Sequence, residues 1–103
     1  MKFYIAGKIT GDPDYKRKFN TAEKQLAERG HSVMNPAWIF AYPDFDYNDY
    51  IAVSTEMQRH CDAVLFLKDW KDSAGARNEY YQAVNQNCFF DIEDVPNEKD
   101  LKK

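Results

Sequence analysis

Asp72-Ser73-Ala74-Gly75-Ala76-Arg77-Asn78-Glu79 follows the most apolar run of the chain, Ala63-Val64-Leu65-Phe66-Leu67. A short unbroken apolar run that ends in a polar loop and then opens a helix reads as a buried parallel strand feeding a βα turn. In open α/β sheets, ligands sit at such turns, beyond the carboxyl ends of the strands. Ser73 or Asp72 is placed to cap the helix, offering an oxygen to its free backbone N–H groups. Gly75 and Ala76 stand one helical turn before Glu79. Helical side chains lean toward the N-terminus, so Glu79 is expected over those two small residues, beside an open notch. The positive end of the helix lies close by, a place that holds anions and keeps a carboxylate ionised. The plain alternative is a solvated glutamate on a helix surface, the usual fate of that residue type.

Upstream, Lys2-Phe3-Tyr4-Ile5-Ala6 reads as a first strand, and Gly7-Lys8-Ile9-Thr10-Gly11 as a glycine-bounded loop. That loop lacks the Gly-x-x-x-x-Gly-Lys-Ser/Thr order of a P-loop, yet it still lets backbone N–H groups approach a ligand. Asp12-Pro13-Asp14 enters a helix whose apolar residues fall at Tyr15, Phe19, Ala22 and Leu26, with Gly30 as the stop. His31 to Met34 reads as a second strand with His31 on the surface, and Asn35-Pro36-Ala37 ends it.

The segment from Trp38 to Tyr50 crowds Trp38, Phe40, Tyr42, Phe45, Tyr47 and Tyr50 among acids and amides. Such a segment lines a base pocket, forms a subunit contact, or packs as a lid. Asp49 or its predecessor caps a second helix with Tyr50, Val53, Ser54, Met57 and Cys61 inward. His60-Cys61-Asp62 is not read as a metal site, because neighbouring side chains diverge and no second ligand pair is suitably spaced. Asp62 opens the third strand. The helix beyond Ser73 turns Tyr80, Ala83 and Val84 inward, and Cys88 to Ile92 forms a fourth strand. Residues 93 to 103 form a polar tail with little to bury, expected to fray. The alternation predicts an α/β three-layer sandwich over residues 1–92, flavodoxin-like or Rossmann-like, with a mostly parallel sheet of four to five strands.

The chain has 103 residues, 44% of them hydrophobic, and a net charge of −3. That fits one folded domain and offers no basic patch for a nucleic-acid polymer. Two cysteines do not make a disulfide scaffold, and no run has the length of a membrane span. A cytoplasmic protein is expected, with no membrane partner.

With these pieces in order, the sequence resembles the nucleoside 2-deoxyribosyltransferase-like superfamily. Within it, the chain is similar to small phage- and prophage-type, DUF4406-like members. The matching residues are Phe3-Tyr4-Ile5-Ala6-Gly7 with Ile9-Thr10-Gly11, then Asn35-Pro36-Ala37, Cys61-Asp62-Ala63-Val64, Trp70, and Ser73-x-Gly75-Ala76-x-x-Glu79. The resemblance implies cleavage of an N-glycosidic bond, with Glu79 as nucleophile and Tyr4 holding and tuning it. It implies that Gly7, Ile9 and Thr10 touch sugar and base, and that Ser73 and Gly75 belong to the binding motif. Asn35 joins the binding set by the same match. Serine at position 73 is typical of members that hydrolyse deoxynucleoside monophosphates, where it helps bind the phosphate. Trp70 either stacks on a base or covers the sheet edge. Many members carry an aspartate where this chain has Ser54. Members are commonly dimers or larger, which implies a homo-oligomer; a phage-encoded member would work in the host cytoplasm.

The chemistry is consistent with that set. Breaking a sugar–base bond passes through positive charge near C1′, which an adjacent carboxylate stabilises or attacks. The departing base gains from a proton donor, for which Asp72, Asp69 and Asp46 are candidates. No cofactor is needed. The expected partner is a small nucleotide or nucleoside, and the expected reaction is hydrolysis or deoxyribosyl transfer. The competing expectation is a non-catalytic nucleotide-binding or host-protein-interaction module on the same fold.

Overall fold

The computed structural model describes residues 1–40 and 44–101. Four parallel strands form one sheet in the order β2-β1-β3-β4: β1 is Lys2–Ala6, β2 Ser32–Met34, β3 Ala63–Phe66 and β4 Asn87–Phe89. The predicted α/β sandwich and parallel sheet are both present.

Strand side chains alternate between faces, and β1 uses both. Phe3 and Ile5 pack with Ala63 and Leu65 against Phe19, Ala22 and Leu26 of helix α1, Tyr15–Glu28. Tyr4 and Ala6 face the other way with Val64, Phe66 and Ala83, and Met57 of helix α2, Tyr47–Arg59, packs onto them. Helix α3, Ala74–Gln82, follows β3. The strand order reverses between β1 and β3, so the crevice at the ends of those two strands is the topological switch point.

Helix ends follow sequence chemistry. Gly30 stops α1 with φ +87°, while its N–H donates to Ala27 O and that of His31 to Leu26 O. That paired geometry needs a left-handed residue, which glycine adopts at no steric cost. Helix α2 starts at Asp46, not Asp49: Asp46 Oδ1 accepts from Asp49 N and Asp49 Oδ2 from Asp46 N, each at 2.9 Å. The entry three residues upstream brings Tyr47 into the helix, and the buried face lies beside the expected one. Ser54 and Gln58 are buried, and Val53 is half exposed.

Other expectations are corrected by packing. Helix α3 ends at Gln82, leaving Ala83 buried and Val84 83% exposed. Strand β4 stops at Phe89, short of Ile92. His31 is buried, not on the surface: its ring lies 4.8 Å from that of Phe3, and its Nε2 is 2.7 Å from Pro96 O. The residues beyond 92 dock instead of fraying. Val95 is buried in the α1-side core, and the N–H of Glu98 in helix α4, Glu98–Leu101, donates to Arg29 O at 2.8 Å. One apolar side chain and a few backbone bonds suffice to hold so short a segment. Within the aromatic segment, Tyr42 and Pro43 lie outside the described residues, as do Lys102 and Lys103 of the tail. Among the described residues no helix is long and apolar enough to cross a membrane.

Candidate active site

A cleft of about 280 Å³ opens at the switch point. Its floor is Tyr4 from β1, Ser54 from α2 and Glu79 from α3. One wall is the loop after β1, with Gly7, Ile9 and Thr10. The opposite wall is the run from Asp72 to Ala76. Phe40, Tyr47 and Ile51 close the third side together with Pro36. The volume sits near the small end of the range of about 300–1,000 Å³ usual for ligand pockets.

Each element delivers its residue for a local reason. Gly7 lets the chain turn out of β1 hard against Leu67: a Cβ there would lie 2.9 Å from Leu67 Cδ1 and 3.1 Å from Leu67 Cβ. Ser73 caps α3 as expected, its Oγ accepting from Ala76 N at 3.2 Å. Glu79 lies one turn above Gly75 and Ala76 and shares the cleft with both. Tyr47 Oη stands 3.6 Å from the point where a Cβ on Gly75 would sit.

Tyr4 Oη donates a hydrogen bond to Glu79 Oε2. Burial, and then the charge of Glu79, hold the phenol well above its ordinary 10, so Tyr4 stays protonated; a hydrogen bond with Ser54 acts in the opposite direction. Burial raises Glu79 from its ordinary 4.5 to about 8, against the smaller lowering by Tyr4. The expected ionised carboxylate is therefore overturned at neutral pH. Glu79 sits beyond the first turn of α3, where the helix dipole fades, and one phenol does not replace lost hydration.

Seven predicted residues meet here: Tyr4, Gly7, Ile9, Thr10, Ser73, Gly75 and Glu79 all line the cleft. Two do not. Asn35 is fully buried as a structural brace: its Oδ1 accepts from Ala37 N at 2.9 Å, and its amide donates to Glu23 Oε1 at 2.9 Å and Asn20 Oδ1 at 3.3 Å. Trp70 covers the sheet edge, stacked on Tyr80 at 5.0 Å and tilted against Phe66 and Phe90.

Of the suggested proton donors, Asp69 is held by Lys8 N and Lys18 Nζ, both at 3.1 Å, and Asp46 caps α2. Asp72 alone of the three lines the cleft. Tyr47 and Ile51 were missed as cleft residues. Once the helix is started at Asp46, positions 47, 51, 54 and 58 share one face. The cysteines offer no rival nucleophile: burial lifts Cys61 to about 11 and raises Cys88 as well. Among the described residues no three His, Cys, Asp or Glu side chains gather to hold a metal ion.

Comparison with known proteins agrees with this architecture. Residues 1–91 match the family described as a domain of unknown function, DUF4406. No curated protein matches the sequence. The fold is that of a solved 2-deoxyribosyltransferase from the psychrotolerant bacterium Bacillus psychrosaccharolyticus. The two chains are 17% identical with a TM-score of 0.61, over 94% of this chain and 91% of that one.

Proposed function

The chain belongs to the DUF4406 family, and on that premise we propose that it cleaves the N-glycosidic bond of a nucleoside or nucleoside 5′-monophosphate, with Glu79 as nucleophile. The observation that carries this reading is the Tyr4–Glu79 hydrogen bond on the floor of a cleft at the sheet's switch point. A carboxylate there attacks C1′ as the base departs and forms a glycosyl ester. Water resolves the ester in hydrolysis, and a second base resolves it in transfer. Tyr4, held protonated, keeps one Glu79 oxygen occupied and leaves the other for the sugar carbon. Glu79 gives its proton to solvent before attack, and positive charge developing at C1′ then favours the ionised carboxylate that bond breaking needs. Gly75 and Ala76 leave room for the sugar beside it.

The test is release of free base from a panel of deoxynucleosides, ribonucleosides and their monophosphates, followed by chromatography. Release that disappears in Glu79→Ala supports the proposal. Release unchanged in that variant, or absent from every compound, ends it. The proton held by Glu79 at neutral pH favours a second reading, a nucleotide-binding module without turnover. Tight binding of a nucleotide with no base released would select that reading instead.

A further inference from the structure

The charges around the cleft restrict the substrate further, on the premise that the glycosidic-cleavage reading holds. The acidic side chains lining it are Asp72 and Glu79, and among the described residues no lysine, arginine or histidine lines it. None of the undescribed residues 41–43 is basic either. The cations nearest in sequence lie outside its lining. Lys8, between Gly7 and Ile9, runs past Gly11, its Cε 3.9 Å from the point where a Cβ on that residue would sit, and its charge adds to the Lys18 hydrogen bond in lowering Asp12. Lys71 Nζ lies over the Trp70 ring, 5.7 Å from its centroid, and Arg77 Nη1 donates to Lys71 O at 2.6 Å. Lys18 Nζ is held by Asp12 at 2.7 Å and Asp69 at 3.1 Å, and Arg17 pairs with Asp14. The Ser73 hydroxyl accepts from Ala76 N, which leaves one neutral O–H to offer a phosphate. A phosphate dianion would thus enter beside Asp72 with no cation among the described lining side chains to meet it. A helix N-terminus supplies only about half a unit of positive charge against it.

The leaving group points the same way. A neutral base needs a proton as its bond to C1′ breaks, and Asp72 is exposed on the cleft wall. A base that already carries positive charge needs none.

We propose that the substrate is a phosphate-free nucleoside whose base is positively charged, such as an N-alkylated purine or a pyridinium nucleoside. The C1′–N bond breaks with its electron pair returning to the ring, so the base leaves neutral. A Glu79 oxygen takes up the bond to C1′. Water then adds to C1′, releasing the Glu79 carboxylate, and the water's proton passes to Asp72 or to solvent. The cationic ring also favours the ionised form of Glu79 before the bond breaks, which burial alone opposes.

The experiment uses one base in four forms: 2′-deoxyguanosine, 7-methyl-2′-deoxyguanosine, and the 5′-monophosphate of each. Each kcat/KM is divided by the spontaneous rate of that compound, since the methylated forms are labile unaided. The 7-methyl nucleoside is expected to exceed its neutral parent by about tenfold or more, and each phosphate to lower kcat/KM by a similar factor, mainly through KM. The phosphate penalty should shrink in Asp72→Asn and at high salt. A monophosphate preferred over its nucleoside, or no gain from methylation, overturns the substrate assignment. Glu79-dependent release in those cases would leave the cleavage reading standing. Release from none of the four overturns the substrate assignment, while the cleavage reading is decided by the wider panel.

Discussion

Tyr4 and Glu79 stand 75 residues apart in the chain and share one hydrogen bond at the bottom of the cleft. The pair joins the central strand to the helix that caps the site, so it reports on chemistry and folding together. Removing the phenol oxygen in Tyr4→Phe leaves Glu79 without the interaction that lowers it. We expect kcat/KM to fall by roughly 10- to 100-fold, the scale of losing one positioned hydrogen bond to a charge. The rising, acid-side limb of the pH profile should also move to higher pH. A profile that keeps its position while the rate falls would assign Tyr4 to packing alone.

The pH dependence of activity follows from Glu79 as a nucleophile. Its carboxyl in the free protein loses its proton near pH 8. Below that point kcat/KM should climb about tenfold per pH unit, and above it level off. The opposite slope, with activity falling as pH rises through 8, would make Glu79 a proton donor.

Stability carries the same information with its own sign. Glu79 sits at about 8 in the folded chain against an ordinary 4.5, so the folded state binds this proton more tightly than the unfolded one. The contribution is complete below 4.5, drains away as pH rises, and is gone above about 8. Glu79→Gln carries no titrating proton and escapes that loss. It should match the parent near pH 4 and exceed it at pH 9, by at most about 1.4 kcal/mol for each pH unit between the two values. Access of solvent through the cleft reduces this ceiling. Urea titrations at both pH values measure it, and an equal difference at each would refute the shift.

These positions differ in how visible they were beforehand. The strand–turn–helix unit around residues 63–79 was legible because an apolar run, a capping serine and two small residues point to one local geometry. Tyr4 was legible only through the family resemblance, since a tyrosine on a buried strand reads by itself as core. Asn35 entered the binding set through the family resemblance alone, whereas in the structure burial makes it bond Ala37, Asn20 and Glu23. Tyr47 and Ile51 were missed because the helix was started after Tyr47 and its inward face was drawn through Tyr50 and Val53, whereas the buried face runs through Ser54 and Gln58. The raised Glu79 value lay outside local reading altogether, since it depends on how deeply three separate elements bury one carboxyl.

Tyr47 offers a test of the cleft's third wall. Its hydroxyl faces the notch over Gly75, within van der Waals reach of any side chain placed there. Gly75→Ala should stabilise α3 by up to about 1 kcal/mol through helix propensity. It should also raise KM, because the methyl takes space beside Glu79. A higher melting temperature with unchanged KM would remove the notch from the binding site. Tyr47→Phe keeps the ring and removes the hydroxyl, so a loss there isolates a polar contact to substrate.

Val95 tests whether the docked end of the chain is part of the fold. It is 5% exposed and joins Phe3, Ile5 and Leu26 in one core cluster. Truncation in Val95→Ala should cost about 1–2 kcal/mol, from lost transfer energy plus the cavity left behind. For a domain of this size that lowers the melting temperature by several degrees. Val95→Asp should cost more, since the carboxylate would be buried near His31 and Phe3 without hydration. The site lies at the opposite ends of the strands, so KM should hold in Val95→Ala wherever the protein remains folded. If both variants melt like the parent, the segment beyond residue 92 does not dock as described, and His31 must find another partner for its Nε2.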